Sequence, residues 1–277
     1  MSLARRGFVR AASGALLALA GCGSPTDPAI RSPRLTARLH PPSKSVTPGQ
    51  LIPVDLPNPY GSALFVPSSY RPTVPAPFLL ALHGAGGSAN GQLGFMQPLA
   101  EQYGFVLLAV TSRDTTWDVV NGDFGPDVDF IDRSLTFAFD RCNLDPARTG
   151  LEGFSDGASY ALGLGLVNGD LFRRVIAFSP GFMPAFEEPV NGDPEFFFSH
   201  GRQDTVLPID CGSRRLAALL QADSYRVTLV EFEGIHTVPA EVADQAVRWA
   251  GEQRATPPGV QHQFVSPGPV PCHPHPQ

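Results

Sequence analysis

Gly153-Phe154-Ser155-Asp156-Gly157 decides the reading of this chain. The run before it, Arg148-Thr149-Gly150-Leu151-Glu152, reads as the end of a short strand, and Ala158 to Leu166 reads as a small, apolar helix. A Gly-x-Ser-x-Gly pattern between strand and helix folds as a turn so sharp that the serine needs unusual backbone angles. Glycines two residues to either side let helix and strand pack that closely. The turn holds the hydroxyl above the sheet edge, with the next backbone N–H, that of Asp156, aimed at the same spot. Five letters alone are weak, because Gly and Ser are common. Their neighbours along the chain make the pattern specific.

Phe78-Leu79-Leu80-Ala81-Leu82 is a continuous apolar run, as expected of a parallel strand buried on both faces. It ends in His83-Gly84-Ala85-Gly86-Gly87, a loop that offers a second N–H, from Ala85, to an oxyanion. Val106–Val110 and Val175–Phe178 read as further strands, and helices are expected near 93–103, 128–141, 211–222 and 239–252. Glu195-Phe196-Phe197-Phe198-Ser199-His200 is another buried strand and runs into Gly201-Arg202-Gln203-Asp204. Val227 to Phe232 alternates as a strand and leads to Glu233-Gly234-Ile235-His236. Such alternation implies an α/β fold with a doubly wound, mostly parallel sheet. Ser155, Asp204 and His236 then each follow a strand's carboxyl end, where open α/β sheets carry their sites.

A serine hydroxyl is a poor nucleophile at neutral pH and needs a base and oxyanion donors. The sequence offers Ser155 as nucleophile and His236 as general base, then acid. Asp204 would orient the imidazole, and the backbone N–H groups of Ala85 and Asp156 would form the oxyanion hole. Bland roles compete: a turn serine at 155, a surface histidine at 236. Asp204 competes with Asp210, suited to a helix N-cap, and with Asp170, at the wrong end of the sheet. His83 is expected to bond loop backbone, and His200 to lie in the core or behind the site. Trp117, in the loop Thr111 to Gly125, either lines a pocket or packs beneath the loop.

Together, His83–Gly87, Gly153–Gly157 and Gly234-Ile235-His236 resemble the carboxylesterase and phospholipase branch of the α/β-hydrolases. Gly201-Arg202-Gln203-Asp204-Thr205-Val206-Leu207-Pro208 is similar to that branch's acid loop. The resemblance spans roughly residues 50 to 252. It implies an α/β-hydrolase fold in a single domain, a small-molecule ester substrate of short to medium acyl chain, an acyl-enzyme intermediate, and no cofactor or metal. Only Gly181 to Pro194 separates two strands where lids are usually inserted, so no helical cap and an open site are expected. A prolyl-oligopeptidase-like peptidase needs a large gating domain, for which there is no room. A polyester depolymerase often carries a polymer-binding module, and the short tail is a poor one. A non-catalytic surface binding protein is disfavoured by the complete set of residues.

The chain has 277 residues, 43% of them hydrophobic, enough for one moderate domain. Its net charge is −6 without a long basic run, which disfavours nucleic acid as a partner. Residues 1–22 read as an address. Arg5-Arg6-Gly7-Phe8-Val9-Arg10 resembles a twin-arginine export motif, and Ala11 to Ala20 is too short to span as a mature helix. Leu19-Ala20-Gly21-Cys22 resembles a bacterial lipobox in which Cys22 becomes lipidated; a plain secretory signal is the alternative. The expectation is an exported lipoprotein, anchored by lipid only and facing the periplasm or cell exterior.

Residues 23–48 read as a Pro/Ser-rich tether, 49–254 as the catalytic domain, and 255–277 as a disordered Pro/His-rich tail. His262, Cys272, His273 and His275 in that tail raise metal capture, but no helix or hairpin fixes a ligand spacing. Cys142, Cys211 and Cys272 are an odd set, and a bridge between Cys142 and Cys211, at opposite ends of the sheet, is geometrically poor.

Overall fold

In the computed structural model, which describes residues 32–56, 61–252 and 262–268, Phe78, Leu80 and Leu82 enter one apolar layer and Leu79 and Ala81 the other. Val106, Leu108 and Val110 divide from Leu107 and Ala109 in the same way, as do Phe196 and Phe198 from Phe197. Period-2 division of wholly apolar runs is what a sheet covered on both faces requires.

The strands in chain order are β1 (Leu51–Pro53), β2 (Ala63–Phe65), β3 (Ala76–Leu82), β4 (Val106–Val110), β5 (Leu144–Phe154), β6 (Arg174–Phe178), β7 (Glu195–Gly201) and β8 (Val227–Phe232). They form one 8-stranded sheet in the order β1-β2-β4-β3-β5-β6-β7-β8. β1 and β2 pair antiparallel; every pairing from β4 through β8 is parallel. Helices α1 (Ala89–Tyr103) and α5 (Ala240–Gly251) cover one face, and α2 (Pro126–Phe139), α3 (Asp156–Val167) and α4 (Arg215–Ala222) the other. Ser88 caps α1 by accepting the Gly91 N–H, and Gly104, at φ 73°, ends it in the left-handed conformation. After β3 the chain moves outward to β4, then returns to lay β5 on the other side of β3. That reversal opens a crevice at the carboxyl ends of β3 and β5.

Three expectations change. The helix expected over 211–222 starts instead as a wide helical turn, Asp210–Arg214, kinked at Gly212 (φ −88°, ψ −111°), before α4 begins. The tether expected over 23–48 is docked from its middle onward. Leu35 is buried and its N–H meets Asn168 Oδ1 at 2.9 Å, while the Thr36 and Ala37 N–H groups share Asp132 Oδ1. The tail expected to be disordered has residues 262–268 packed on the body. There His262 stacks on Tyr225 at 3.6 Å and the Ser266 hydroxyl donates to Pro184 O at 2.5 Å. Stacking and hydrogen bonds offset the ordering entropy that composition alone suggests would win. The address region 1–22, with Cys22, and Cys272, His273 and His275 lie outside the described residues. Residues 181–194 contain no helix.

Candidate active site

β5 meets α3 at Ser155, whose backbone sits at φ 56°, ψ −118°. A side chain is rarely carried there, at a cost on the order of 1–3 kcal/mol. The conformation is held from both sides: the Ser155 N–H donates to Phe178 O at 2.8 Å, and the Ser159 N–H donates to Ser155 O at 3.0 Å. A Cβ at Gly153 would lie 2.2 Å from Gly157 O, and one at Gly157 would lie 2.4 Å from His83 O. The two glycines are therefore demanded by the meeting of β5, α3 and the loop after β3.

Ser155 Oγ lies 2.9 Å from His236 Nε2, and His236 Nδ1 lies 2.6 Å from Asp204 Oδ2. A carboxylate only accepts, so Nδ1 carries the proton and Nε2 accepts from the serine hydroxyl. Asp204 Oδ1 receives the N–H groups of Val206 and Leu207, both at 2.9 Å, which fix the acid in its turn. The Phe154 ring lies 4.8 Å from the His236 ring and backs it. Asp210 is exposed and pairs with Arg214 at 2.8 Å, and Asp170 pairs with Arg34 at 2.7 Å, so neither serves His236. His200 lies behind Asp204, 3.1 Å from Oδ2.

The loop after β3 closes on this group. A Cβ at Gly84 would lie 3.2 Å from Ser155 Cβ. The N–H groups of Ala85 and Asp156 donate to no other group among the described residues. His83 shapes the loop: the Ser112 N–H donates to its Nε2 at 3.0 Å, so Nδ1–H donates to Gly84 O at 2.7 Å. Burial holds the His83 pKa below the ordinary imidazole value, which keeps it neutral for that pattern.

The segment after β4 braces both halves. The Gly86 N–H donates to Thr115 O at 2.6 Å, the Thr116 hydroxyl to Asp156 Oδ2 at 2.6 Å, and Trp117 Nε1–H to His83 O at 2.7 Å. Trp117 is fully buried and so packs beneath the loop rather than lining a pocket. Among the described residues no group of three or more His, Cys, Asp or Glu could hold a metal ion.

A sequence profile described as Phospholipase/Carboxylesterase matches residues 129–247, which include Ser155, Asp204 and His236. No curated protein matches the chain. Among solved structures it is similar to esterase PE8 (22% identity, TM-score 0.54), covering 74% of this chain and 100% of that one. It is also similar to a thermostable esterase (20%, TM-score 0.58), covering 73% of this chain and 62% of that one. A third is S-formylglutathione hydrolase from Staphylococcus aureus (12%, TM-score 0.56), with 73% of this chain and 99% of that one covered. The fold is that of the α/β-hydrolases, and residues 129–247 resemble the Phospholipase/Carboxylesterase family.

In this α/β-hydrolase two further sets of acids lie buried near the site. Burial pushes the Glu152 carboxyl up to about 8, against Gln92, whose Nε2 lies 2.7 and 2.9 Å from its two oxygens. Asp118 and Asp127 exchange backbone N–H bonds at 3.0 and 2.8 Å, and burial with the Asp127 charge pushes Asp118 up to about 6. Cys142 is a buried free thiol that burial pushes up to about 12, which makes it inert. Cys211 is disulfide-bonded, and not to Cys142. Thr115, Thr116 and Gln92 stand in no motif of the hydrolase. Only their position after a strand's carboxyl end or one helical turn from a loop could have drawn notice.

Proposed function

We propose that this hydrolase is a serine esterase that cleaves carboxylic esters of short to medium acyl chains through an acyl-enzyme intermediate. The observation that carries the reading is the hydrogen-bonded chain from Asp204 through His236 to Ser155, beside two unengaged N–H groups. Ser155 Oγ attacks the acyl carbon while His236 Nε2 takes its proton, and Asp204 stabilises the resulting imidazolium. The carbonyl oxygen becomes an oxyanion facing the Ala85 and Asp156 N–H groups, where one donor is worth roughly 10²–10³ in turnover. Collapse expels the alcohol, which leaves with the proton from His236. Water, activated by the same imidazole, then releases the acid. Structural neighbours that are esterases support this class over a peptidase.

The chain-length part of the reading rests on the rim. No helix lies in 181–194, and Val206 and Ile235, next to the acid and the base, are 65% and 64% exposed. An uncovered groove desolvates few methylenes, and only those buried contribute, about 0.8 kcal/mol each. The Arg5-Arg6 motif and Leu19-Ala20-Gly21-Cys22 support a further proposal, that the protein is exported and lipid-anchored at Cys22.

A p-nitrophenyl ester series on protein lacking residues 1–22, beside Ser155→Ala, tests the function. The best kcat/KM is expected at about C2 to C8, because methylenes left in water add nothing to the transition state. Ser155→Ala is expected to lose about 10⁶ in turnover. Activity of that variant within tenfold of wild type rejects the nucleophile, and a sharp preference for C16 esters rejects the open groove.

A further inference from the structure

We infer that His200 is a positioning residue for the triad: its Nε2–H holds the Asp204 carboxylate against His236. The inference rests on the reading of Ser155, His236 and Asp204 as that triad.

His200 ends β7 with its side chain fully buried. Its Nε2 lies 3.1 Å from Asp204 Oδ2 and 2.7 Å from Leu207 O. Both partners only accept, so Nε2 carries the proton and Nδ1 is left as an acceptor. The Ser213 hydroxyl supplies the matching donor, 2.8 Å from Nδ1. Burial holds the His200 pKa below the ordinary imidazole value, so the ring stays a neutral, one-proton donor.

Asp204 Oδ2 thus faces N–H groups of two imidazoles, that of His236 in a hydrogen bond and that of His200 shared with Leu207 O, while Oδ1 takes the N–H groups of Val206 and Leu207. Three hydrogen bonds and the shared contact surround the carboxylate, which accepts about four. With His200 in place no rotation of the carboxyl improves its bonding. Without it, Oδ2 keeps only the bond to His236, and the acid is free to turn away from a base that must move during the reaction.

The local backbone is arranged for this contact. A Cβ at Gly212 would lie 3.0 Å from His200 Cε1 and 2.3 Å from Pro180 O. The kinked turn Asp210–Arg214 can therefore close over the ring only with glycine there, and the closure is what brings Ser213 onto Nδ1. The result is one chain of side chains, Ser213, His200, Asp204, His236, Ser155, at 2.8, 3.1, 2.6 and 2.9 Å. A residue that merely filled the space would need neither ring nitrogen.

The test compares His200→Leu, which keeps bulk and loses the donor, with His200→Gln, whose amide nitrogen reaches the place of Nε2. Steady-state kinetics on p-nitrophenyl butyrate are read beside the low-field proton NMR signal of His236 Nδ1–H and a thermal melt. His200→Leu is expected to lower kcat about 10- to 100-fold, as loss of a group that orients a functional side chain does, with KM changed less than about twofold. Its low-field signal should broaden into exchange with water. His200→Gln should restore the signal and most of kcat. Equal losses in both variants, or an unchanged signal with near wild-type kcat in His200→Leu, overturn the inference. Should His200→Leu not fold, His200→Asn, too short to reach Asp204, takes its place with the same two outcomes. The NMR signal is read without substrate, so a wild type that hydrolyses no ester sinks the esterase reading while the signal still decides His200.

Discussion

The Thr116 hydroxyl lies 2.6 Å from Asp156 Oδ2, so the segment after β4 grips the residue whose N–H faces Ser155. The N-terminus of α3 is thereby pinned from outside the sheet. Thr116→Val, which keeps shape and removes the donor, is expected to lower kcat about tenfold with KM nearly unchanged, the sign of a contact felt only in the transition state. Asp156→Asn added to it should cost little more, because the two act as one unit. Full additivity in a double-mutant cycle would dissolve the clamp.

Asp204 and Asp210 can be separated by chemistry as they are by distance. Asp204→Asn leaves the imidazole free to hold the wrong tautomer and is expected to cost about 10⁴ in kcat. Asp210→Asn loses only an exposed pair with Arg214 and should stay within about twofold, as surface pairs contribute little. A larger loss at 210 than at 204 would reassign the acid.

Glu152 makes stability fall with rising pH. Its folded pKa of about 8 lies above the ordinary 4.5, so the folded chain holds a proton that the unfolded chain releases between those values. The stabilisation is complete below the unfolded value and is lost as pH rises through the folded one. The urea midpoint of the wild type should therefore drop between pH 6 and pH 9. Glu152→Gln, neutral at both, should show a smaller drop, and an identical drop in both proteins would exonerate Glu152.

Lipidation at Cys22 is read directly from the N-terminal peptide by mass spectrometry after expression with export intact. A diacylglyceryl-modified Cys22 is the expected species, and the protein should sediment with membranes. An unmodified Cys22, or cleavage at another residue, returns the segment to a plain secretory signal.

β4 and β8 are legible in the sequence residue for residue, since each is a short run of β-formers cut off by polar or glycine-containing turns. Ser155, Asp204 and His236 are legible because strand ends and glycines flag them. Thr116 and Gln92 are not, because each bonds to an element far along the chain, and no local pattern encodes such a bond. His200 is legible in its place behind the site, from its position at a strand end before a glycine, but not in its partners. Pro-rich composition also hid the docked stretches at 32–39 and 262–268. There a few buried side chains, Leu35 and His262 among them, outweigh the average character of their surroundings.

The clasp of Arg34 on Asp170, with bonds of 2.8 and 2.7 Å, has a geometric meaning for the proposed anchoring at Cys22. Asp170 follows the carboxyl end of α3, a helix that starts just after Ser155 and runs back toward the amino ends of the strands. The leash thus leaves the molecule from the pole opposite the crevice. Residues 23–31 between Cys22 and the first described residue can reach about 30 Å at full extension. If Cys22 carries the proposed lipid, a body held so closely by its underside would have little room to roll over. On the proposed anchoring, its mouth would point outward, toward soluble esters arriving from the surroundings, and away from the acyl chains of the bilayer.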